Sequence, residues 1–290
     1  MLDLAQADPA TTIPVLHAIV LGITQGLSEF LPISSSGHLI LVPWLFGWEE
    51  LTGKANADLN KTFDVALHVG TILASLVYFR KDLSRLARAG LTSVRDRAVT
   101  TTDQRLAWLL LLSAVPGAIV GAALESVINE HLGQIWLIAV MLIVFGLVLL
   151  LADRLPSNLA ETDYGPRQAL TMGLAQAAAL SPGVSRSGIT ITAGRFLGFD
   201  RNAAARLSFL MSMPITGGAA LYKGAELAVD GLPPGTAPAF FWGIVASAVT
   251  GLAAVWLVLR VVRTRSFLPF VVYRVLAGVA VLALLASPLR

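Results

Sequence analysis

The sequence predicts an all-α polytopic membrane protein in which two broken helix hairpins and six membrane spans form an inverted repeat. Of its 290 residues, 56% are hydrophobic and only 13% are charged, against roughly 25% charged residues in soluble proteins. Its mean hydropathy is +0.74. This composition excludes a soluble enzyme, a disordered chain and a nucleic-acid-binding module, because so few charged residues cannot cover a soluble surface. The chain has no Cys, which excludes disulfides, zinc–thiolate sites and cysteine nucleophiles.

The spans follow from length, since a helix needs about 20 apolar residues to cross a bilayer. Six stretches qualify: 62–79, 106–124, 135–152, 203–222, 238–259 and 267–287. Two further apolar regions, 13–48 and 168–197, are interrupted by Gly, Pro and Ser. Each of these two regions is expected to form two short helices that enter and leave the membrane on the same side.

The basic residues orient the chain, because Lys and Arg accumulate on the cytoplasmic side of a membrane protein. Fifteen of the 21 basic residues lie in segments assigned to that side, whereas 125–134 and 224–237 contain none. The assignment requires both broken regions to be re-entrant, and it predicts periplasmic N- and C-termini. No Lys or Arg precedes Lys54, so the sequence shows no signal-peptide n-region.

An internal repeat is indicated by a shift of 151 residues. The shift aligns five identical residues of the two broken regions: Gly22 with Gly173, Gln25 with Gln176, Ser34 with Ser185, Ser36 with Ser187, and Gly37 with Gly188. We therefore expect a first repeat at 1–152 and a second, inverted repeat at 153–290. In such folds the broken helices hold the ligand site. The alternative is coincidence and two kinked ordinary helices.

Ionisable residues inside membrane segments are functional candidates, because their burial in a bilayer is costly. They are His17, Glu29, His38, Asp64, His68, Arg186 and Arg274. Glu29 follows Gln25 by four residues, so both face one side of a helix. Together with the nearby serines and His38, this carboxylate could support nucleophilic or general-base chemistry.

The second broken region has the composition of a phosphate-binding site. Ser185 and Ser187 flank Arg186, and Gly183 and Gly188 lie close by. Glycines allow close approach of the backbone, N–H groups at a helix start attract anions, and a guanidinium matches phosphate oxygens. The sequence thus predicts an acid/base group opposite a phosphate cradle.

Structural roles compete with these assignments. Ser34 and Ser36 are expected to serve packing and hydrogen bonding, and His17 is expected to lie at the membrane interface. Asp64 and His68 form either a polar packing pair or a support for the site. Arg274 could pair with a buried carboxylate such as Asp64.

Two motifs carry a family resemblance. Residues 25–38 read Gln-Gly-Leu-Ser-Glu-Phe-Leu-Pro-Ile-Ser-Ser-Ser-Gly-His, and residues 181–190 read Ser-Pro-Gly-Val-Ser-Arg-Ser-Gly-Ile-Thr. They closely resemble the signature motifs of the bacterial undecaprenyl pyrophosphate phosphatases, the bacitracin-resistance family. The resemblance extends over nearly the whole chain, including Lys61-Thr-Phe-Asp64 and Tyr273-Arg274.

The resemblance implies removal of the terminal phosphate from a C55 polyprenyl diphosphate in the bacterial inner membrane, which yields the lipid carrier of cell-wall synthesis. It implies a periplasmic site and a divalent cation, Mg²⁺ or Ca²⁺, with Glu29 and Gln25 as ligands, directly or through the diphosphate. Glu29 is the essential carboxylate, Ser35 and His38 are nucleophile candidates, and Arg186 with Ser185 binds the diphosphate. Gln25 departs from the Glu of many members, and His68 stands where Gln is expected. The sequence leaves the oligomeric state undecided, with a homodimer as one possibility.

Alternatives remain at this point. The nucleophile is Ser35, His38 or a water molecule with His38 as general base. An inverted-repeat transporter or flippase of a polyprenyl phosphate would share the anion site without a nucleophile. The type-2 phosphatidic-acid phosphatases are excluded, because the sequence has no Arg-Pro dipeptide and no His between Ile189 and Phe196.

Overall fold

The computed structural model of the chain describes residues 13–52, 57–232 and 234–288, and within these ranges the regular structure is helical. The twelve α-helices are α1 (Val15–Phe30), α2 (Ser35–Phe46), α3 (Glu49–Thr52), α4 (Ala57–Tyr78), α5 (Arg80–Asp96), α6 (Thr102–His131), α7 (Ile135–Asp153), α8 (Pro166–Ala178), α9 (Arg186–Phe196), α10 (Arg201–Asp230), α11 (Ala237–Val261) and α12 (Leu268–Leu285). A short 3₁₀ helix covers Glu161–Asp163. The predicted all-α class is confirmed.

Four helices of the described chain are long and apolar enough to cross a membrane: α7, α11, α12 and α6 as far as Ala123. They confirm four predicted spans. Helix α4 qualifies as a fifth span only together with α5, from which it is separated by an 82° bend. The predicted span 203–222 lies within α10, which is outside this set, since polar residues such as Arg206, Ser208 and Ser212 interrupt its apolar run. The sequence therefore predicted six spans where composition and length support four or five.

The two broken regions form two pairs of short helices, as predicted. Region 13–48 folds into α1 and α2, and region 168–197 folds into α8 and α9. None of the four reaches the length required of a span. Entry of the two pairs from opposite membrane faces remains a prediction. Lys54 and Arg290, which entered the charge assignment, lie outside the described residues.

The last residue of each break has the same unusual backbone conformation. Ser34 has φ of 79° and Ser185 has φ of 75°, a left-handed region that residues with a Cβ seldom adopt. Each serine is the N-cap of the following helix and accepts a hydrogen bond from a glycine N–H three residues later. The capping compensates for the unfavourable backbone conformation.

Helices from one half of the chain pack against helices from the other half. Helix α1 packs against α11 and α8 packs against α6, while α7 packs against α12. Glycines allow the first two contacts, because a Cβ on Gly22 would lie 2.4 Å from the Gly243 carbonyl oxygen and one on Gly173 would lie 2.6 Å from that of Ser113. A two-fold repeat would give these pairings, but the repeat boundaries 1–152 and 153–290 and the inverted orientation remain predictions.

Candidate active site

The two helix breaks are in direct contact. The Ser34 hydroxyl oxygen accepts a hydrogen bond from the Gly183 N–H at 3.0 Å, and the Ser187 hydroxyl donates to the Leu31 carbonyl at 3.1 Å. Helices α2 and α9 both begin at this junction. Because helix N-termini carry a partial positive charge, their convergence favours an anion there.

Arg274 of α12 holds this junction together through hydrogen bonds to both breaks. Its guanidinium is fully buried and, among the described residues, donates only to main-chain carbonyl oxygens: those of Pro32 (3.1 Å), Gly183 (2.9 Å), Val184 (3.0 Å), Met141 (3.3 Å) and Leu142 (3.1 Å). The expected pairing of Arg274 with Asp64 is therefore wrong. Breaking two helices frees carbonyls in a region without water, and one arginine can satisfy several of them.

Replacing Arg274 with Met is expected to destabilise the protein strongly. Several buried carbonyls would lose their donor, and each unsatisfied group costs about 1–3 kcal/mol. The thermal midpoint in detergent should fall by well over 5 °C, whereas Arg265→Met, at an exposed position, should leave it nearly unchanged. An Arg274→Met midpoint equal to that of the parent would show that the breaks hold their shape without this side chain.

Glu29, the last but one residue of α1, is the centre of the site. Its carboxylate is buried and accepts hydrogen bonds from the Ser35 hydroxyl at 2.5 Å, from the Gln25 side-chain amide at 3.1 Å and from Arg186 Nη2. His68 Nε2 lies 3.8 Å from the same carboxylate. The structure thus brings together residues from α1, α2, α4 and α9 around one acid.

Two polar atoms beside this carboxylate lack a partner in the described part of the chain. Arg186 Nη1 and Gln25 Oε1 are both buried without a hydrogen bond. Glu29 and Arg186 also border a cavity with room for about one water molecule. The unpaired N–H groups of Arg186 are the donors that a bound anion would use.

Sequence reasoning missed four hydroxyl groups that line this cavity. They belong to Thr71 and Ser75 of α4 and to Ser212 and Thr216 of α10. The available signal was the spacing, because each pair lies four residues apart and so occupies one face of its helix.

His38 is engaged at both ring nitrogens. Nδ1 lies 2.7 Å from the Ser34 carbonyl oxygen, and Nε2 lies 2.7 Å from the Tyr273 hydroxyl. The carbonyl can only accept, so Nδ1 carries the proton and Nε2 accepts from Tyr273. Tyr273 was not predicted as a site residue, although it immediately precedes Arg274 in the sequence.

Other predicted site residues have local partners. The N–H of Gly188 donates to the Ser185 hydroxyl at 3.1 Å, and the N–H of Gly183 donates to Ser34. These two N–H groups, expected to face the diphosphate, are therefore not available to it. Asp64 contributes its main-chain carbonyl, which accepts from His68 Nδ1 at 2.7 Å. His17 lies apart from the site, where it pairs with Glu50 at 2.5 Å and stacks on Trp48.

The side chains at this junction do not fit a protein-held metal site. No group of three or more His, Asp or Glu side chains suited to a metal occurs among the described residues. Both oxygens of Glu29 already accept hydrogen bonds, and its neighbour at position 25 is an amide that donates to it. A two-carboxylate cation site is therefore not formed here.

Residues 18–280 match the family model described as Bacitracin resistance protein BacA. The chain is 51% identical over 273 residues to a protein of Geobacter sulfurreducens named undecaprenyl-diphosphatase, which covers 93% of this chain and 98% of the relative. It is 50% identical over 277 residues to a protein of the same name from Pelobacter propionicus, with 94% and 98% coverage. A relative from Nocardioides sp. with this name is 44% identical over 274 residues, with 94% and 97% coverage.

Proposed function

The chain belongs to the family of the bacitracin resistance protein BacA, and on that premise we propose that it is an undecaprenyl-diphosphatase. It hydrolyses the terminal phosphate of undecaprenyl diphosphate and leaves undecaprenyl phosphate. The observation that carries the proposal is the contact of one buried carboxylate, Glu29, with both a serine hydroxyl and a guanidinium. The names of relatives about half identical over nearly the full chain support the same activity.

Ser35 is the nucleophile in this proposal. Its hydroxyl already donates to Glu29 Oε2 at 2.5 Å, which is the arrangement of an activated nucleophile and its base. The Ser35 oxygen attacks the terminal phosphorus while its proton passes to Glu29, and the bond from phosphorus to the bridging oxygen breaks. Undecaprenyl phosphate leaves, and water then hydrolyses the phosphoserine. His38 is less suited to attack, because Tyr273 occupies its Nε2.

Arg186 stabilises the charge of the diphosphate and of the leaving lipid phosphate. One of its nitrogens holds Glu29, and the other is buried without a partner. A guanidinium placed in a site of low dielectric constant acts on charge that develops in the transition state. The converging N-termini of α2 and α9 add to this field.

The stereochemistry of transfer tests whether an enzyme side chain or a water molecule attacks the phosphorus. Each displacement inverts the configuration at phosphorus, so a phosphoserine pathway with two displacements retains it. We expect retention when a substrate with an isotopically chiral terminal phosphorothioate is hydrolysed and the thiophosphate product is assigned by NMR. Inversion would instead support direct attack by water, with His38 as the base.

We propose that the divalent cation, Mg²⁺ or Ca²⁺, binds through the diphosphate rather than to a protein cluster. This follows from the occupied oxygens of Glu29 and from the amide at position 25. The purified protein without substrate is therefore expected to show no Mg²⁺ binding tighter than about millimolar in isothermal titration, a range typical of weak oxygen sites. Micromolar binding that Glu29→Gln abolishes would contradict this placement.

The substrate is a lipid, so the proposed reaction takes place at the membrane, with bilayer lipids around the helices. We place the protein in the bacterial inner membrane, with the site open to the periplasm and laterally to the lipid. The contacts around Glu29 described above come from one chain, and a homodimer remains a prediction.

Phosphate release decides between an enzyme and a transporter. Purified protein in detergent, incubated with undecaprenyl diphosphate, should release inorganic phosphate in proportion to the amount of protein. Movement of the lipid across vesicles without phosphate release would support the flippase alternative and remove the enzymatic assignment.

A further inference from the structure

A second polar cavity lies between the C-terminal ends of α4 and α11. It measures about 240 Å³ and is lined by Tyr78, Trp256, Leu259, Arg260 and Arg263. None of these residues belongs to the junction around Glu29. Both helices run towards the side that the basic residues assign to the cytoplasm.

The cavity contains two arginines that have no counter-ion in the part of the chain that the structure describes. Within the described ranges, Arg260 and Arg263 form no ion pair or hydrogen bond, and the Arg260 guanidinium lies 5.1 Å from the centre of the Trp256 ring. No Asp or Glu follows Asp230 in the sequence, so the C-terminal part of the chain supplies no acid to the cavity. The acid that follows Tyr78 most closely, Asp82, already pairs with Arg85 and Arg206.

An apolar surface adjoins the two arginines. Leu252, Trp256 and Arg260 follow one another at intervals of four residues, so they lie along one face of α11. Leu252 and Trp256 are exposed, and so are Leu76 and Val77 of α4. On a membrane span, exposed side chains of this kind face lipid hydrocarbon. The apolar strip formed by Leu252, Trp256, Leu76 and Val77 therefore leads from the lipid hydrocarbon to a cationic cavity flanked by aromatic rings.

We propose that this cavity binds the phosphate headgroup of an anionic phospholipid from the cytoplasmic leaflet. Guanidinium groups bind phosphate oxygens through paired N–H donors, and the Tyr78 hydroxyl supplies a further donor. Trp and Tyr prefer the headgroup level of the bilayer, and anionic lipids attract basic clusters on the cytoplasmic face. The apolar strip accommodates the acyl chains, which a soluble phosphate ion would leave unused.

The test compares lipid binding in the parent protein and three double variants. Native mass spectrometry from detergent measures adducts of phosphatidylglycerol and of phosphatidylcholine with the same acyl chains. Arg260→Gln with Arg263→Gln should weaken phosphatidylglycerol binding about tenfold or more without changing phosphatidylcholine binding. Arg88→Gln with Arg167→Gln removes the same charge from exposed positions elsewhere and should change binding less than twofold. Arg260→Lys with Arg263→Lys retains the charge and should recover part of the affinity.

Three results would overturn the proposal. Equal weakening in the two Gln double variants would show a general effect of surface charge. Unchanged phosphatidylglycerol binding in Arg260→Gln with Arg263→Gln would remove the cavity as a site. Inorganic phosphate that displaces the lipid at equal concentration would make it a site for soluble phosphate. Phosphate release from undecaprenyl diphosphate in neutral detergent should be unchanged in all variants, which separates this outcome from the proposed activity.

Discussion

Replacing Glu29 with Gln is expected to lower the turnover number for undecaprenyl diphosphate by about 10²- to 10⁴-fold, the range that general-base catalysis contributes. The amide has nearly the shape of the carboxylate but cannot take the proton that Ser35 now directs at Oε2 from 2.5 Å. Phosphate release by purified variant and parent under saturating substrate measures the effect.

Glu49→Gln provides the matched control for Glu29. Glu49 lies at an exposed position on α3, away from the site, so Glu49→Gln makes the same chemical change there. The turnover number of this variant should equal that of the parent. Both variants should elute as folded protein from size-exclusion chromatography in detergent. A Glu29→Gln enzyme with more than half of the parent turnover would assign the base to another group.

Replacing Arg186 with Gln is expected to lower kcat/KM by about 10²- to 10³-fold, the loss seen when one preorganised donor to developing charge is removed. Arg186→Lys should recover only part of this loss, since an ammonium keeps the charge without the fork of donors. Steady-state kinetics of phosphate release separates the effects on kcat and KM.

Stability and activity should separate in the Arg186 series. Arg186→Gln leaves the buried Glu29 carboxylate without its cation, and loss of one partner of a buried pair costs about 3 kcal/mol. Combining Arg186→Gln with Glu29→Gln removes both charges and should restore much of the thermal midpoint, while phosphate release remains lost. A double variant as unstable as the single one would show that the Glu29–Arg186 pair is not a coupled unit.

Much of the fold was readable from apolar length and from the residues that interrupt it. The breaks at Pro32–Ser34 and Pro182–Ser185 were located because Pro, Gly and Ser stand inside otherwise apolar runs. Helix α10 was assigned as a span although Arg206, Ser208 and Ser212 interrupt its apolar run, and this composition was readable from the sequence. The partners of Arg206 and Ser208 on neighbouring helices were not readable.

The site could be predicted where a single residue is costly to bury. Glu29 and Arg186 were identified because unpaired charges inside a membrane need a function or a partner. The roles of Arg274 and of the N–H groups of Gly183 and Gly188 could not be predicted, since they depend on which carbonyls and hydroxyls the two breaks bring together. The contact of Tyr273 with His38 likewise joins residues far apart in the sequence.

In the proposed mechanism, the two helix breaks form one phosphate site between Ser35 and Arg186. An experimental structure determined with orthovanadate, a mimic of the phosphoryl group in transfer, tests this most directly. We expect vanadate density within bonding distance of Ser35 Oγ and within hydrogen-bonding distance of the Arg186 guanidinium. Vanadate bound elsewhere, with the Ser35–Glu29–Arg186 contacts undisturbed, would contradict it.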